Sequence, residues 1–298
     1  MIRHLTVEKK PGRVVVLGAS GFVGQAISVG IRGSGSEVSA LSSADIDLTQ
    51  PESIDALGRT VGAHDSLVIV SAITPDKGKD AATLMRNLTM GQHLSAFLDQ
   101  AKRAHVVYIS SDAVYADEAN PVNETSCCDP SSFHGLMHLV RERMFADAAR
   151  KQGTPYLILR PCSVYGAGDT HNSYGPNRFL RTALKDHQIS LFGQGEEKRD
   201  HIYIKDLSRL VSLCLARSSE GVLNVATGQS VSFFEVAEKI ARVCGDGVEI
   251  KGSPRANPVT HRHFDVTSIH KAFPDFVLTS LDDGLAEFLR EIKDVQAG

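Results

Sequence analysis

Two imidazoles stand one helical turn apart in His134-Gly-Leu-Met-His138, and a carboxylate follows one turn later at Glu142. Side chains four residues apart share a helix face. An unperturbed imidazole has a pKa of about 6.5, so it exchanges protons near neutrality without help. Three readings fit the pattern. The pair can do acid–base chemistry. It can fill a core helix in a protein that binds its ligand without turning it over. It can also hold a metal with Glu142, because His-x-x-x-His is a known ligand spacing. Acid–base work is the expectation adopted, with no metal. Further reactive groups lie at Ser111 and Asp112, a hydroxyl and a carboxyl ending the apolar run His105–Ile109. Ser111 is read as a donor to a substrate oxygen whose charge changes, or else as a cap on the strand end.

A second constellation binds rather than reacts. Val14-Val-Val-Leu-Gly18-Ala-Ser-Gly21-Phe-Val-Gly24 is an apolar strand, a glycine-rich turn and the start of a helix. Gly18 permits the tight turn, Gly21 lets backbone approach a pyrophosphate, and Gly24 lets the helix pack near the strand. Amides at the helix start then face the phosphates. The spacing is Gly-x-x-Gly-x-x-Gly rather than Gly-x-Gly-x-x-Gly. The second strand ends Ala40-Leu41-Ser42-Ser43, without the acid that usually takes the adenosine ribose hydroxyls and without a nearby base for a 2′-phosphate. NAD and NADP therefore both stay open, with NAD favoured. Asp47 is read either as a contact to the adenine amino group or as a helix cap ahead of Pro51.

The elements that must position these groups alternate. Strands are expected at Arg13–Leu17, Glu37–Leu41, Ser66–Ser71, His105–Ile109 and Tyr156–Arg160, with helices at Gly21–Arg32, Asp80–Arg103 and Ser131–Gln152 between them. This is the rhythm of an α/β, Rossmann-type doubly wound parallel sheet. After Pro161 it changes: a polar stretch, Gly166–Asn177, precedes a helix near Arg178–Asp186 and the loop Phe192–Arg199. Ile202–Ala216 and Val222–Ala226 read as a return to the sheet, and Leu281–Ile292 as an amphipathic closing helix. The expected division is residues 1–165 plus 202–228 for a dinucleotide-binding domain. Residues 166–201 plus 229–298 then form a smaller C-terminal substrate-binding lobe.

Composition excludes other classes. A net charge of −3 over 298 residues, with scattered basic residues, gives no reason to expect nucleic acid or an anionic membrane as partner. No apolar run reaches the ~20 residues that span a bilayer. Five cysteines, two of them adjacent at Cys127 and Cys128, do not read as a secreted disulfide framework, so a reducing cytoplasm is the expected setting.

Several segments, in order from about residue 13 to 290, resemble the extended short-chain dehydrogenase/reductase family of nucleotide-sugar epimerases, dehydratases and ketoreductases. They are the glycine turn, Asn87-Leu-Thr-Met-Gly, Tyr108-Ile-Ser-Ser111-Asp112-Ala-Val-Tyr115, Leu159-Arg-Pro161-Cys-Ser-Val-Tyr165-Gly166, Phe192-Gly-Gln-Gly195 through Arg199-Asp200-His201-Ile202, and Asn224-Val-Ala-Thr-Gly228. The resemblance implies NAD or NADP held by Gly18, Ser20, Gly21, Phe22, Val23, Gly24, Ser42, Asp47, Leu48, Ala72, Asn87, Ser110, His138 and Pro161. It implies a nucleotide-diphospho sugar met by Ser111, Tyr115, His171, Asn177, Arg178, Arg199 and Arg262. Within that set Arg199 and Arg262 suit the pyrophosphate as guanidinium forks, with a surface salt bridge as the other reading of Arg262. Tyr115 orients the sugar or simply packs, and His171 with Arg178 is expected to meet acidic groups on the sugar. A homodimer through the helices at Asp80–Arg103 and Ser131–Gln152 is also implied.

The departure lies in the reactive helix. The family pattern is Tyr-Gly-x-x-Lys with a Glu four residues after the Lys. Aligned on Gly135 and Glu142, His134 takes the Tyr position and His138 the Lys position. The resemblance then assigns His134 as acid/base and His138 as the ribose holder. Asp112 resembles the dehydratase acid, but its companion Glu is Ala113, which points toward epimerisation or ketoreduction. The alternative is a catalytically degenerate nucleotide-sugar binding protein with a regulatory or assembly role.

Overall fold

The fold is that of a computed structural model, which describes residues 2–245, 247–255 and 258–297. The elements up to the end of the first half-chain are β1 (Arg3–His4), β2 (Val14–Leu17), α1 (Phe22–Gly33), β3 (Val38–Leu41), α2 (Ser53–Thr60), β4 (Ser66–Ile69), α3 (Ala81–Leu98), β5 (His105–Ile109), α4 (Phe133–Gln152) and β6 (Tyr156–Pro161). There follow β7 (Ser163–Tyr165), α5 (Pro176–Asp186), β8 (Gln188–Phe192), β9 (Lys198–Arg199), β10 (His201–Tyr203), α6 (Ile204–Ala216) and β11 (Ser219–Val225). The chain closes with β12 (Val231–Ser232), α7 (Phe233–Cys244), β13 (Glu249–Ser253), α8 (Thr267–Ala272) and α9 (Leu281–Ala297).

Seven strands form the central sheet in the order β1-β11-β6-β5-β4-β2-β3. All its pairings are parallel except that of β1 with β11. Along β2, successive residues feed opposite faces. Val14 and Val16 pack with Ile27 and Ile31 of α1 and Leu207 and Leu210 of α6. Val15 and Leu17 pack with Leu57 of α2, Leu94 and Phe97 of α3 and Phe145 of α4. Both faces are covered, which is why these strands read as continuous apolar runs. The chain steps from β2 to β3 on one side and then to β4 on the other. That reversal opens a crevice at the strand ends, where ligands of such sheets bind.

Two expectations need correction. Ile202–Ala216 does not rejoin the sheet as a strand: Ile204, Leu207, Leu210, Val211 and Cys214 recur at helical spacing, are buried, and make α6 a covering helix on α1. Only β11 returns, while β10 pairs with β7 in a separate ribbon. The helix expected over Asp80–Arg103 stops at Leu98. Among the elements with no counterpart in the sequence reading are α2 and β1. β1 is tied down by His4, which bonds Ser219 Oγ at 2.8 Å and the Ala272 carbonyl at 2.9 Å.

Beyond the sheet, β8 pairs with β13 and β9 with β12, beside α5, α7 and α9. All five cysteines are free thiols. Among the described residues no helix is long and apolar enough to cross a membrane.

Candidate active site

The glycine turn opens on a cavity of about 690 Å³ between the ends of β2, β3 and β4. Gly18 has φ +87°, and a Cβ there would lie 2.7 Å from the Ser71 backbone. A Cβ on Gly24 would lie 2.2 Å from the Gly18 carbonyl oxygen. Neither glycine tolerates a side chain. α1 begins after Gly21, which supplies no side-chain cap, so its first-turn amides are free to meet a ligand. Gly18, Ser20, Gly21, Phe22, Val23, Gly24, Ser42, Asp47, Leu48 and Ala72 all line the cavity.

Its polar groups are partly committed. Ser42 gives its amide and hydroxyl to the Asp45 carboxylate at 2.8 and 2.7 Å. Asp47 accepts from the Thr49 amide at 2.9 Å and the Thr49 hydroxyl at 2.7 Å, and these bonds hold its carboxyl below the ordinary range. Asp47 therefore caps a turn, while α2 starts later, at Ser53. Asn87 clamps the loop after β4, accepting from the Ile73 amide at 2.9 Å and donating to its carbonyl at 3.0 Å. Arg86, Lys77 and Asp76 also line the cavity. The sequence holds no signal for these three, apart from their place around Asn87.

His171 reaches this cavity as well, and its Nδ1 pairs with Asp76 at 2.8 Å across the mouth. Arg178 does not join it: exposed on α5, it lies near Tyr174. The expected His171–Arg178 recognition pair is thus split between two places. Asn177 is buried and occupied, accepting from the Gly166 amide at 3.0 Å and donating to the Val164 carbonyl at 3.3 Å.

The reactive residues gather where β5 ends and α4 begins. Ser111 caps the short turn Asp112–Val114, its Oγ accepting from the Ala113 amide at 3.1 Å. Gly135 makes the next contact possible, because a Cβ there would sit 2.0 Å from the Ala113 carbonyl oxygen. That close approach brings the first turn of α4 against the Asp112–Val114 turn. Burial lifts the Asp112 carboxyl above its ordinary range, with Arg262 and Arg199 pulling it back. Arg199 is itself clasped by Glu197 and by the carbonyl and hydroxyl of Thr260. Arg262 is 9% exposed and pairs with the exposed carboxylate of Asp117 at 3.4 Å.

His134 is half-buried and lines a second cavity of about 310 Å³, which meets the first at Ile73. Burial, and then His171 nearby, lower its pKa and keep the ring neutral at pH 7. His138 is 5% exposed and lines neither cavity. It stands behind His134, ring centroids 4.7 Å apart and planes nearly perpendicular, and its Nδ1 lies 2.7 Å from the Tyr108 hydroxyl. Nor does Glu142 join the two histidines in a metal set. One of its oxygens takes Ser110 Oγ at 2.6 Å and Arg160 Nε at 2.9 Å, the other Arg160 Nη2 at 2.6 Å.

Three expected contacts fall inside this buried network or beside it. Ser110 is spent on Glu142. Tyr115 is 1% exposed, donating to Asn224 Oδ1 at 2.7 Å and accepting from Arg160 at 2.9 Å, so of its two readings packing is the one observed. Pro161, the last residue of β6, is buried and lines neither cavity.

A doubly wound sheet with a phosphate-shaped glycine cradle at its switch point defines a dinucleotide-binding protein of Rossmann type. The chain belongs to the NAD dependent epimerase/dehydratase family, whose sequence profile matches residues 14–226. Among curated proteins it is 30% identical over 166 residues to a putative UDP-glucose 4-epimerase of Methanocaldococcus jannaschii, a match covering 54% of either chain, so it spans about half the length of that relative. It is 24% identical to a dTDP-glucose 4,6-dehydratase of Streptomyces niveus across 96% of this chain and 94% of that one. Among solved structures, the NAD complex of the UDP-glucose 4-epimerase of Thermus thermophilus superposes with a TM-score of 0.82 at 20% identity, covering 94% of this chain and 99% of the other. At that identity the likeness speaks for the fold.

Proposed function

We propose that the protein is an NAD-dependent nucleotide-sugar epimerase or ketoreductase working by reversible oxidation at a sugar carbon, with His134 as acid/base. One observation carries this reading: Gly135 docks the first turn of α4 on the turn that follows Ser111, and the adjoining His134 lines a cavity that shares Ile73 with the dinucleotide cavity.

The first cavity fits a dinucleotide. Gly18 and Gly24 leave room for a pyrophosphate, Ser20 and the first amides of α1 would hold it, and Asp47 and Leu48 flank the far end. The family description names NAD, and the Ser42–Ser43 corner offers a 2′-phosphate no cation from its own strand end. When bound, NAD supplies the hydride exchange at its nicotinamide. The protein's own residues do the rest. Ser111 holds the reacting sugar oxygen by a hydrogen bond. His134, held neutral, takes the proton from that oxygen as the hydroxyl becomes a carbonyl, and returns it on reduction. Asp112, its carboxyl raised toward neutrality, can pass a proton along the same face. Arg199 and Arg262 supply positive charge for the sugar nucleotide's pyrophosphate. The relatives' names include UDP- and dTDP-sugar enzymes, which supports that substrate class. Self-association through α3 and α4 belongs to the proposal, since Met85 and Leu136 are exposed there.

The second reading, a nucleotide-sugar binding protein without turnover, is favoured by one observation: neither phenol nor ammonium stands at positions 134 and 138. Proton NMR of a panel of nucleotide sugars with NAD or NADP separates the two. Conversion by the wild type and not by His134→Ala establishes the proposed base. Conversion by both moves the role to Asp112, and no conversion with cofactor binding intact supports the binding protein.

A further inference from the structure

Tyr108 lies one residue before the end of β5, enclosed within the sheet, yet it makes the one side-chain hydrogen bond that His138 has among the described residues. Both rings are buried, Tyr108 to 1% and His138 to 5% exposure. A neutral imidazole carries a single proton, and its two tautomers demand opposite things of the phenol. With the proton on Nδ1, His138 would donate to the phenol oxygen, and the Tyr108 hydroxyl would need another acceptor. None is present among the described residues. A buried hydroxyl without an acceptor is costly. With the proton on Nε2, the hydroxyl donates to Nδ1 at 2.7 Å and both groups are satisfied.

The surroundings also keep the ring uncharged. On α4, the guanidinium of Arg141 is fully buried, 5.3 Å above the Tyr108 ring, and bonded to the Ser71 carbonyl rather than to a carboxylate. His134 flanks the other side of His138, and Phe145 of α4 closes over Tyr108. Among the described residues no carboxylate bonds to the His138 ring, since Glu142 is engaged by Arg160 and Ser110. Nε2, on the ring edge away from Tyr108, has no hydrogen-bond partner among the described residues.

We propose that Tyr108 is a positioning residue whose hydroxyl fixes His138 as the neutral Nε2–H tautomer, so that the position behind His134 holds an uncharged ring. Tyr108 then acts on the reactive face through His138, touching neither cavity itself. The inference deepens the proposed role of His134 and rests on it, because His138 is the wall against which that ring stands.

The test is spectroscopic and needs no substrate, so it stands apart from the turnover experiment. In protein labelled with ¹⁵N-histidine, His138 is assigned by its loss in His138→Asn. The expected wild-type result is a protonated Nε2 and an unprotonated Nδ1 throughout the neutral range. In Tyr108→Phe the Nδ1–H form should gain about five- to tenfold in relative population, the equivalent of one neutral hydrogen bond. A wild-type His138 that is doubly protonated, or protonated on Nδ1, overturns the proposal. So does a folded Tyr108→Phe with unchanged tautomer populations. Should Tyr108→Phe fail to fold, the wild type decides: a slowly exchanging Tyr108 hydroxyl proton correlated with His138 Nδ1 supports the assignment, and its absence refutes it.

Discussion

Replacing Glu142 by Gln tests the view that this residue is a structural anchor rather than a ligand of the histidine pair. The carboxylate joins Ser110 of the β5 end to Arg160 of β6, and the Arg160 and Glu142 side chains are 5% and 3% exposed. Gln can keep one oxygen where Ser110 and Arg160 Nε bond. Its amide nitrogen then faces Arg160 Nη2, which lies 2.6 Å from the second oxygen in the wild type, and two donors meet. Arg160 is left charged and enclosed, with the Tyr115 hydroxyl as its other partner at 2.9 Å. Removing one member of a buried pair costs about 3–5 kcal/mol, a large part of the ~5–15 kcal/mol that holds a typical domain folded. With a denaturant slope of about 3 kcal/mol/M, the urea midpoint should fall by ~1–1.7 M. Asp147→Asn, which opens the exposed pair with Lys151 on the same helix, is the control and should cost under ~1 kcal/mol. If the two variants shift the midpoint equally, the anchoring argument is wrong.

Other outcomes follow from the same geometry. Gly18→Ala forces φ +87° on an L-residue and sets a methyl 2.7 Å from Ser71 backbone, so NAD affinity by calorimetry should fall by about tenfold or more; an unchanged Kd refutes the cradle. Burial lowers the pKa of His105 to about 4 and of His201 to about 3. The unfolded chain binds those protons first, near pH 6.5, so stability is full above that pH and is lost as pH falls toward the folded values. By pH 5 the loss is about 2 kcal/mol for each histidine, and a urea midpoint that stays flat from pH 7 to 5 contradicts it. Asp76→Ala releases His171 from the cavity mouth, and because the pair is part-exposed the expected gain in NAD dissociation rate is only about two- to fivefold by stopped flow. No change there would remove the pair from any role in retention.

What is legible in the sequence follows from which interactions are local. β2 to β6 are apolar runs bounded by polar turns, and their expected bounds differ from the observed ones by two residues at most. The glycine turn is legible because its three glycines fall within seven residues, directly after an apolar strand. β1 is not, since two residues gain a strand only from β11, more than 200 positions away. α6 reads as a strand because a helix of dense apolar residues resembles one until its spacing of three and four is weighed against length. In the site, residue types are visible and partners are not. Asp47 serves Thr49, Asn177 serves Gly166, and Tyr115 serves Arg160 and Asn224, none of which the spacing announces. His171 and Arg178, seven apart, are split because the chain turns into α5 between them.

The histidine pair is coherent once the second ring is seen to be neutral. A phenol serving as a base needs a neighbouring cation to bring its pKa down from about 10. An imidazole starts near 6.5 and needs none, and a cation beside it would drive its proton affinity too low for it to take up the substrate's proton. Burial and His171 already lower His134. A charged residue at 138 would lower it further. Here that position holds a buried imidazole bonded to Tyr108, with Arg141 above the Tyr108 ring, and burial and the neighbouring His134 and Arg141 all act against its protonation. Exchanging the phenol for an imidazole therefore removes the reason for the ammonium. On that logic His138→Lys should not restore a family-like site: the new cation would sit in a pocket built for a neutral ring, lose the Tyr108 bond, and lower the pKa of His134. A base acts deprotonated, so its pKa sets the acid-side limb of the pH profile of any turnover, and in His138→Lys that limb shifts to lower pH. An unshifted limb, or one moved upward, would show that His134 is not the titrating base.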